Sequence, residues 1–486
     1  MQAPVTRMLI LGLGRSGLAV ARAVLDPANY GALRQLTIVD AADTAALRAH
    51  WDDLERRAAA CRPAPALRVF LGATTLPESG EQFELGVVSP GLAPHDPLVV
   101  AACQRCDELI GELEFAYRRA PADQKWIALT GSNGKTTTTM LCTHLLRAAG
   151  RDAASVGNIG APVTDQLCCG ATPEILVAEV SSFQLHYCTS FAPQAAALLN
   201  VAPDHLDWHG SLDNYVRAKQ KIFAQQRAGD VALIWDDDPF ADRTRACVQA
   251  TPARLETISF REHAAPAVYL KDAKLWLHLD PSTEPELICP VDDLLIHGRH
   301  NVCNALFAAG LVARFGLTAA EIAAGLKTFT APPHRLELVA EIAGVRYFDD
   351  SKATNPDSVR AALTAFAPAT VHLLLGGQGK GTPYEDLARS ALACARAVYT
   401  FGAEGPVLAE TFRAIQAQGA VAPSLTACGD LEEAFAAAAE AARPGEAVLL
   451  SPACASFDAF DSYAQRGEFF VALVRAQARA GREGPL

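Results

Sequence analysis

The sequence predicts an α/β protein with largely parallel sheets, arranged in three regions. Two observations carry this. Strand-length apolar runs alternate with Ala/Leu-rich helical stretches along the chain, the pattern of β–α–β units. The alternation is also broken twice: near 118–123 by Arg-Arg-Ala-Pro-Ala-Asp, and near 331–333 by Ala-Pro-Pro, where two prolines stop the preceding helix. A chain of 486 residues has room for roughly two to four domains of ordinary size.

Taken in order, the apolar runs at 8–12, 36–40, 86–89, 126–130, 175–179, 195–200, 231–235, 371–376 and 447–451 read as buried strands. Helices are expected at 18–25, 136–149, 214–228, 301–314 and 431–442. The stretch 266–297 differs. Ala267-Val268-Tyr269-Leu270 and Lys274-Leu275-Trp276-Leu277 alternate without helices between them, which predicts a small antiparallel sheet.

Composition narrows the function. Apolar residues make up 50% and charged residues 20%, which excludes a disordered chain. The net charge of −12 excludes a general nucleic-acid coat, so phosphates must be met by local sites. The 13 cysteines are odd in number and scattered, which fits a reducing compartment rather than a disulfide framework. Cys103 and Cys106 form one CxxC and Cys168-Cys169 a pair, but neither has a second half at zinc-site spacing. The apolar run 8–13 is too short for a signal-peptide core. Nor does any apolar run reach the roughly 18 residues of a membrane span. A soluble cytoplasmic protein without membrane insertion is expected.

Four motifs carry chemistry. Gly12-Leu13-Gly14-Arg15-Ser16-Gly17 follows the first strand and opens a helix, and Asp40 ends the next strand. Glycines there allow a tight turn, and the helix N-terminus favours an anion. The motif suits NAD(P), another nucleotide, or a glycine turn that only packs. Ser89-Pro90-Gly91 ends another strand of this region, as a turn or as a second loop facing the same ligand.

The second motif is more specific. After the strand at 126–130 come Gly131, Ser132, Asn133, Gly134, Lys135, Thr136 and Thr137, and then a helix. Backbone N–H groups of such a loop cradle phosphate oxygens, Lys135 neutralises β- and γ-phosphates, and the Thr136 hydroxyl ligates Mg²⁺. It is a shortened Walker loop, with Leu129 where the usual pattern has glycine.

The third set lies downstream. Glu179 ends a strand, placed either to reach a phosphate-bound metal or to cap a helix. His205 follows another strand within Asp204-His205-Leu206-Asp207, where a lone histidine is more often structural than a ligand and Asp204 or Asp207 reads as an ordinary turn residue. Lys219, read from its residues alone, belongs to the solvated face of a helix. The fourth set comprises His334-Arg335-Leu336-Glu337, the run from Asp349-Asp350-Ser351-Lys352 through Thr354, Gly376-Gly377-Gln378-Gly379-Lys380-Gly381, and the segment 449–458. Each is a plain loop or a ligand loop. At strand ends of one parallel sheet the last three would converge, because ligands gather at the carboxyl edges of such sheets.

In this order, GLGRSG, TGSNGKTTT, EVSSFQL, DHLDWHG, GRHNVCNAL, PHRLE, DDSKATNPDS, GGQGKG and LSPACASFDAF resemble the bacterial Mur ligases over about 8–469. The branch most similar is the one that adds D-glutamate. The resemblance implies three domains: a Rossmann-like UDP-binding domain at 1–119, a central P-loop-type mononucleotide-binding ATPase domain at 120–331, and a Rossmann-like amino-acid-binding domain at 332–486. It implies ATP-dependent joining of D-glutamate to UDP-N-acetylmuramoyl-L-alanine through an acyl phosphate, with two Mg²⁺ ions and a monomeric protein. A hinge would lie near 331–333.

Residue by residue, the resemblance implies that Gly14, Arg15, Ser16, Asp40, Ser89, Pro90 and Gly91 surround the UDP group. Asn158 and His205 would touch the muramoyl substrate. Asn304, Arg335, Asp350 and Lys352 would lie on the nucleotide side, with Lys135 catalytic. Thr354, Lys380, Ser456, Phe457 and Tyr463 would form the glutamate pocket. Thr136 and Glu179 would serve one metal. Lys219, carbamylated, would serve the second alongside His205. The chain departs from the family pattern in Ala41 and Ala42 after Asp40, in Gln378 before the Gly-Lys pair, and in Tyr463 where phenylalanine is familiar.

Overall fold

The computed structural model describes residues 5–26, 33–77, 80–168, 172–264, 266–296, 298–330, 333–417 and 423–480. The prolyl boundary at 331–332 and Cys169 lie outside the described residues. The chain divides into two compact units. One comprises Met1–Val201, Trp208–Pro290 and Ala305–Leu326; the other comprises Ala202–Asp207, Val291–Asn304 and Lys327–Leu486.

The first unit holds two sheets. Its five-stranded sheet contains β1 (Arg7–Leu11), β2 (Gln35–Asp40), β3 (Ala66–Leu71), β4 (Leu85–Val88) and β5 (Leu109–Gly111), in spatial order 3-2-1-4-5 and parallel throughout. Met8, Ile10, Leu36 and Ile38 bury one face of it against the helix Arg15–Val24, whose Leu18, Val20 and Ala21 are also buried.

The nine-stranded sheet contains β6 (Lys125–Thr130), β7 (Ala153–Gly157), β8 (Ile175–Glu179), β9 (Ala195–Leu198), β10 (Val231–Trp235), β11 (Arg254–Ser259), β12 (Ala267–Lys271), β13 (Lys274–His278) and β14 (Glu286–Pro290). Its order is 14-13-12-11-10-9-6-8-7. The parallel strands are apolar on both faces because helices cover both, as βαβ crossovers require. The expected small antiparallel sheet at 266–297 is corrected here. Those strands do pair antiparallel with one another, but β12 also pairs parallel with β11 (Ile258 opposite Val268), so they extend the central sheet as its edge. The expected helix 214–228 is also shorter. It runs Leu212–Gln220 and closes with a 3₁₀ turn, Lys221–Phe223.

The second unit carries β15 (Glu337–Ile342), β16 (Val345–Asp349), β17 (Val371–Gly376), β18 (Ala395–Phe401), β19 (Ser424–Ala427) and β20 (Ala447–Ala453). Their order is 15-16-20-17-18-19, parallel except for the β15–β16 hairpin. Separate apolar cores fill its two faces, one around Val359, Leu373, Leu387 and Phe412, the other around Tyr347, Leu374, Phe435 and Phe470.

One glycine sets how closely a helix approaches the central sheet. A Cβ on Gly310, in the helix Arg299–Ala313, would stand 2.6 Å from Leu233 Cδ2 and 3.1 Å from Val268 Cγ2. Gly310→Val should therefore cost about 1–3 kcal/mol by overpacking and lower the melting temperature. Gly310→Ala, in which helix propensity offsets part of the clash, should lower it less. Thermal melts of both variants check this.

Candidate active site

In the first unit, β6 delivers the chain to the loop 131–134 and the helix Lys135–Ala148 carries it away. Gly134 caps that helix at φ 82°, a left-handed conformation natural to glycine. Gly131 lies so close to Leu199 that a Cβ would stand 3.0 Å from the leucine Cβ. The Lys135 ammonium folds back over the loop and donates to the carbonyls of Gly131 (2.7 Å) and Ser132 (2.9 Å). Thr136 and Thr137 lie in the first turn of the helix, Thr137 buried.

Asn200, at the end of the apolar run 195–200, fixes this loop. Its Oδ1 accepts from Asn133 N at 2.9 Å, its Nδ2 donates to Asn133 O at 3.1 Å, and its carbonyl accepts from Ser132 N at 2.9 Å. The Ser132 hydroxyl meets the Tyr215 hydroxyl at 3.0 Å.

Lys219 is not on a solvated face. It is 1% exposed, donates to Gly131 O at 2.8 Å, and its ammonium stands 4.5 Å from the centre of the Tyr215 ring. Helix periodicity could not reveal this, because the hydrogen-bond partner comes from a loop 88 residues earlier in the chain. Glu179 ends β8 beside β6 and is 2% exposed. Its Oε1 accepts from Asn158 Nδ2 at 2.8 Å, while its Oε2 is buried without a hydrogen-bond partner among the described residues. A buried carboxylate oxygen left without a donor is costly unless a cation meets it. Carboxylate and hydroxyl oxygens near a phosphate loop also suit a hard divalent ion, so Thr136 and Glu179 fit Mg²⁺.

The glycine turn of the same unit is tightly built. Gly12 takes φ 84°, and a Cβ on it would meet Ser89 Oγ at 2.6 Å. Ser89 Oγ donates to Gly12 O at 3.2 Å. Asp40 uses both carboxylate oxygens to shape this edge, accepting from Leu13 N at 2.6 Å and from Ala42 N at 2.8 Å. Gly14 caps the helix Arg15–Val24 with no side-chain hydrogen bond, and Ser16 follows in its first turn. The Arg15 guanidinium donates to Gly160 O. Pro90 and Gly91 follow Ser89, and Tyr187 OH donates to Leu92 O at 2.8 Å.

In the second unit, three polar loops leave the carboxyl ends of β16, β17 and β20. Asp350 accepts from Leu336 N (3.2 Å) and from the Ser451 hydroxyl (2.7 Å). The Lys352 ammonium lies 3.7 Å from the centre of the Tyr463 ring. Thr354 N donates to Lys352 O, and Gln378 pairs through its backbone with Ala455. Ser456 is buried, and Phe457 is 69% exposed. His334, at φ 63°, shares a proton position with Asp349 at 2.6 Å. The helix Arg299–Ala313 presents Asn304, whose amide donates to Asn301 Oδ1 at 3.1 Å. Burial, with the Arg335 charge nearby, pushes the His300 imidazole down to about 4.

Arg466 is the residue that sequence reading missed. It is 0% exposed and is bonded to backbone carbonyls and one hydroxyl. Its guanidinium donates to Ser351 Oγ (3.0 Å) and O (2.9 Å), to Cys454 O (3.0 Å), to Ala455 O (3.1 Å) and to Gly376 O (3.4 Å). One planar fork therefore ties all three loops together. An arginine on a helix after the last strand carries no sequence signal for this.

The Mur ligase middle domain model matches residues 129–312, and the Mur ligase glutamate ligase domain model matches 334–454. The chain belongs to the Mur ligase family. Its full-length kinship is with UDP-N-acetylmuramoylalanine–D-glutamate ligases. That of Thermobifida fusca is 39% identical over 483 residues, covering 97% of this chain and 98% of the relative. That of Pelotomaculum thermopropionicum is 36% identical over 471 residues, covering 96% and 97%. Among solved structures, MurF ligase from Thermotoga maritima in complex with ADP aligns with a TM-score of 0.59 at 17% identity, covering 95% of this chain and 99% of that one. UDP-N-acetylmuramate-alanine ligase MurC from the same organism aligns at 0.55 and 16%, covering 98% and 100%. At those identities the likeness is one of fold. Among the described residues no helix is long and apolar enough to cross a membrane.

Burial raises the Asp350 carboxyl from its usual 3.8 to about 7, and raises that of Asp349 beside it. A carboxyl that holds its proton more tightly when folded stabilises the fold at acid pH. That contribution is lost as pH rises through about 7. Asp350→Asn should flatten this part of the dependence and gain stability relative to wild type at pH 8. Melting temperatures of both proteins across pH 5–8 check it.

Proposed function

We propose that this chain joins D-glutamate to the alanyl carboxylate of UDP-N-acetylmuramoyl-L-alanine, cleaving ATP to ADP and phosphate. What supports the reading most is a phosphate loop beside a buried Glu179 oxygen without a partner, in a chain akin end to end to D-glutamate ligases. The substrates are small molecules of a cytoplasmic precursor pathway, and the protein acts as a monomer. The division into domains at 1–119, 120–331 and 332–486 is part of the same proposal.

A carboxylate is a poor electrophile. It first attacks the γ-phosphorus of ATP, forming an acyl phosphate and releasing ADP. The amine of glutamate then attacks the acyl carbon, loses a proton, and expels phosphate. The first step gathers anions, so it needs fixed positive charge where charge develops. The 131–134 loop offers backbone N–H groups, and Lys135 lies over it ready to exchange loop carbonyls for phosphate oxygens. Mg²⁺ ions, when bound, neutralise and orient the phosphates. Thr136 and Glu179 are the ligands for one. His205 and a carbamylated Lys219 are the residues assigned to the second.

Carbamylation suits Lys219 for a stated reason. Its ammonium and that of Lys135 both donate to Gly131 O, so two cations crowd one oxygen. A carbamate keeps an N–H for Gly131 O and replaces the second cation by an anion. In the second unit, Arg335, Asn304, Asp350 and Lys352 are assigned to the nucleotide. Thr354, Lys380, Ser456, Phe457 and Tyr463 are assigned to glutamate. Gly14, Arg15, Ser16, Asp40, Ser89, Pro90, Gly91 and Asn158 of the first unit are assigned to the UDP-muramoyl substrate.

Phosphate release tests the reaction. With ATP and Mg²⁺ it should require UDP-N-acetylmuramoyl-L-alanine and D-glutamate together. Release without either substrate, or with L-glutamate in place of D-glutamate, would count against it. Lys219→Ala should lose most activity and regain part of it with added formate or acetate. Full activity in the plain variant would remove the carbamate.

A further inference from the structure

We propose that Asp204 is a positioning residue whose carboxylate holds Lys380 in place of the amino-acid substrate's carboxylate and yields it when that substrate arrives. The inference rests on the glutamate-ligating reading above and extends it to a residue that reading leaves without a role.

Four observations carry it, all within the second unit. Asp204 is 6% exposed, so its charge needs partners inside the protein. It has two. Its Oδ1 accepts from His205 N at 2.9 Å, and its Oδ2 lies 3.5 Å from His205 Nε2. On the other side, Lys380 Nζ stands 3.8 Å from Oδ1. That last contact is an ion pair too long for a hydrogen bond, so it is attractive but loose. His205 itself is held at φ 53°, a conformation that a non-glycine residue keeps only where its surroundings require it.

Lys380 sits on the loop after β17, between Gly379 and Gly381, and is 23% exposed at its side chain. A ligand carboxylate brought to this ammonium at hydrogen-bond distance would replace a longer contact with a shorter one. Asp204 would then keep His205 as its remaining close polar partner, which tightens the hold on the imidazole. Glutamate binding and imidazole orientation are thereby coupled through one carboxylate. The same carboxylate acts against any ligand that cannot offer Lys380 a better anion, which makes Asp204 a determinant of specificity for ligands that carry a carboxylate.

The test is Asp204→Asn, which keeps the shape and the acceptor for His205 N but removes the charge competing for Lys380. KM for D-glutamate should fall about threefold to fivefold, the range of a partly exposed ion pair. Over the same comparison kcat should drop, because His205 loses its anionic partner. A merely structural role would leave KM unchanged or raise it. Inhibition by glutarate, a dicarboxylate that cannot react, should tighten by the same factor. In the Lys380→Ala background, Asp204→Asn should no longer lower KM. An unchanged or raised KM for D-glutamate in Asp204→Asn, or the same fall with Lys380 absent, would overturn the proposal. If wild-type protein fails to consume D-glutamate at all, the functional reading falls first and this inference with it. Activity in wild type with no KM shift in the variant overturns the inference alone.

Discussion

Two lysines converge on one carbonyl oxygen, and much of the central site depends on that. Gly131 O accepts from Lys135 at 2.7 Å and from Lys219 at 2.8 Å, so the ammonium groups are no farther apart than those two bonds laid end to end. Like charges at that range repel, the more so where water is sparse. The arrangement is tolerable because the carbonyl, the Ser132 carbonyl and the Tyr215 ring share the charge between them. It is also poised, since an arriving phosphate or the conversion of one lysine to an anion relieves it. Asn200 keeps the carbonyl where both lysines reach it, by holding the backbone of Ser132 and Asn133 from just beyond the end of β9.

The neighbouring strand end shows the complementary strain. Glu179 has one oxygen bonded to Asn158 and one without a hydrogen-bond partner among the described residues. The loop thus presents excess positive charge and the strand beside it an unsatisfied negative one, in adjacent positions of one sheet. Such a pair of local deficits is what a magnesium–nucleotide complex, with both signs of charge, would satisfy at once.

Much of this was legible in the sequence. Parallel strands buried on both faces are continuous apolar runs, so β8, β10 and β17 have the bounds that the runs at 175–179, 231–235 and 371–376 indicate. Strands such as β3 and β7 were not visible. The first is half exposed and carries Arg68, and the second has Val156 as its one large apolar residue among alanine, serine and glycine. The phosphate loop was legible because glycine, lysine and threonine have to stand at close spacing. The burial of Lys219, the clamp by Asn200 and the fork of Arg466 were not. Each acts on residues far away in the chain, and a residue's type does not disclose a partner 88 or 115 positions distant.

The Arg466 fork has a consequence for how this protein can change. Three loops that could drift independently are bound to one guanidinium, through backbone carbonyls at every contact but the Ser351 hydroxyl. Loop remodelling by insertion or deletion would break the fork and leave a buried cation without acceptors. Side-chain exchange at positions other than Ser351 leaves those bonds untouched. Descent with altered amino-acid preference is thereby confined to substitutions on a fixed frame, and the lengths of these three loops should drift far more slowly than their residues.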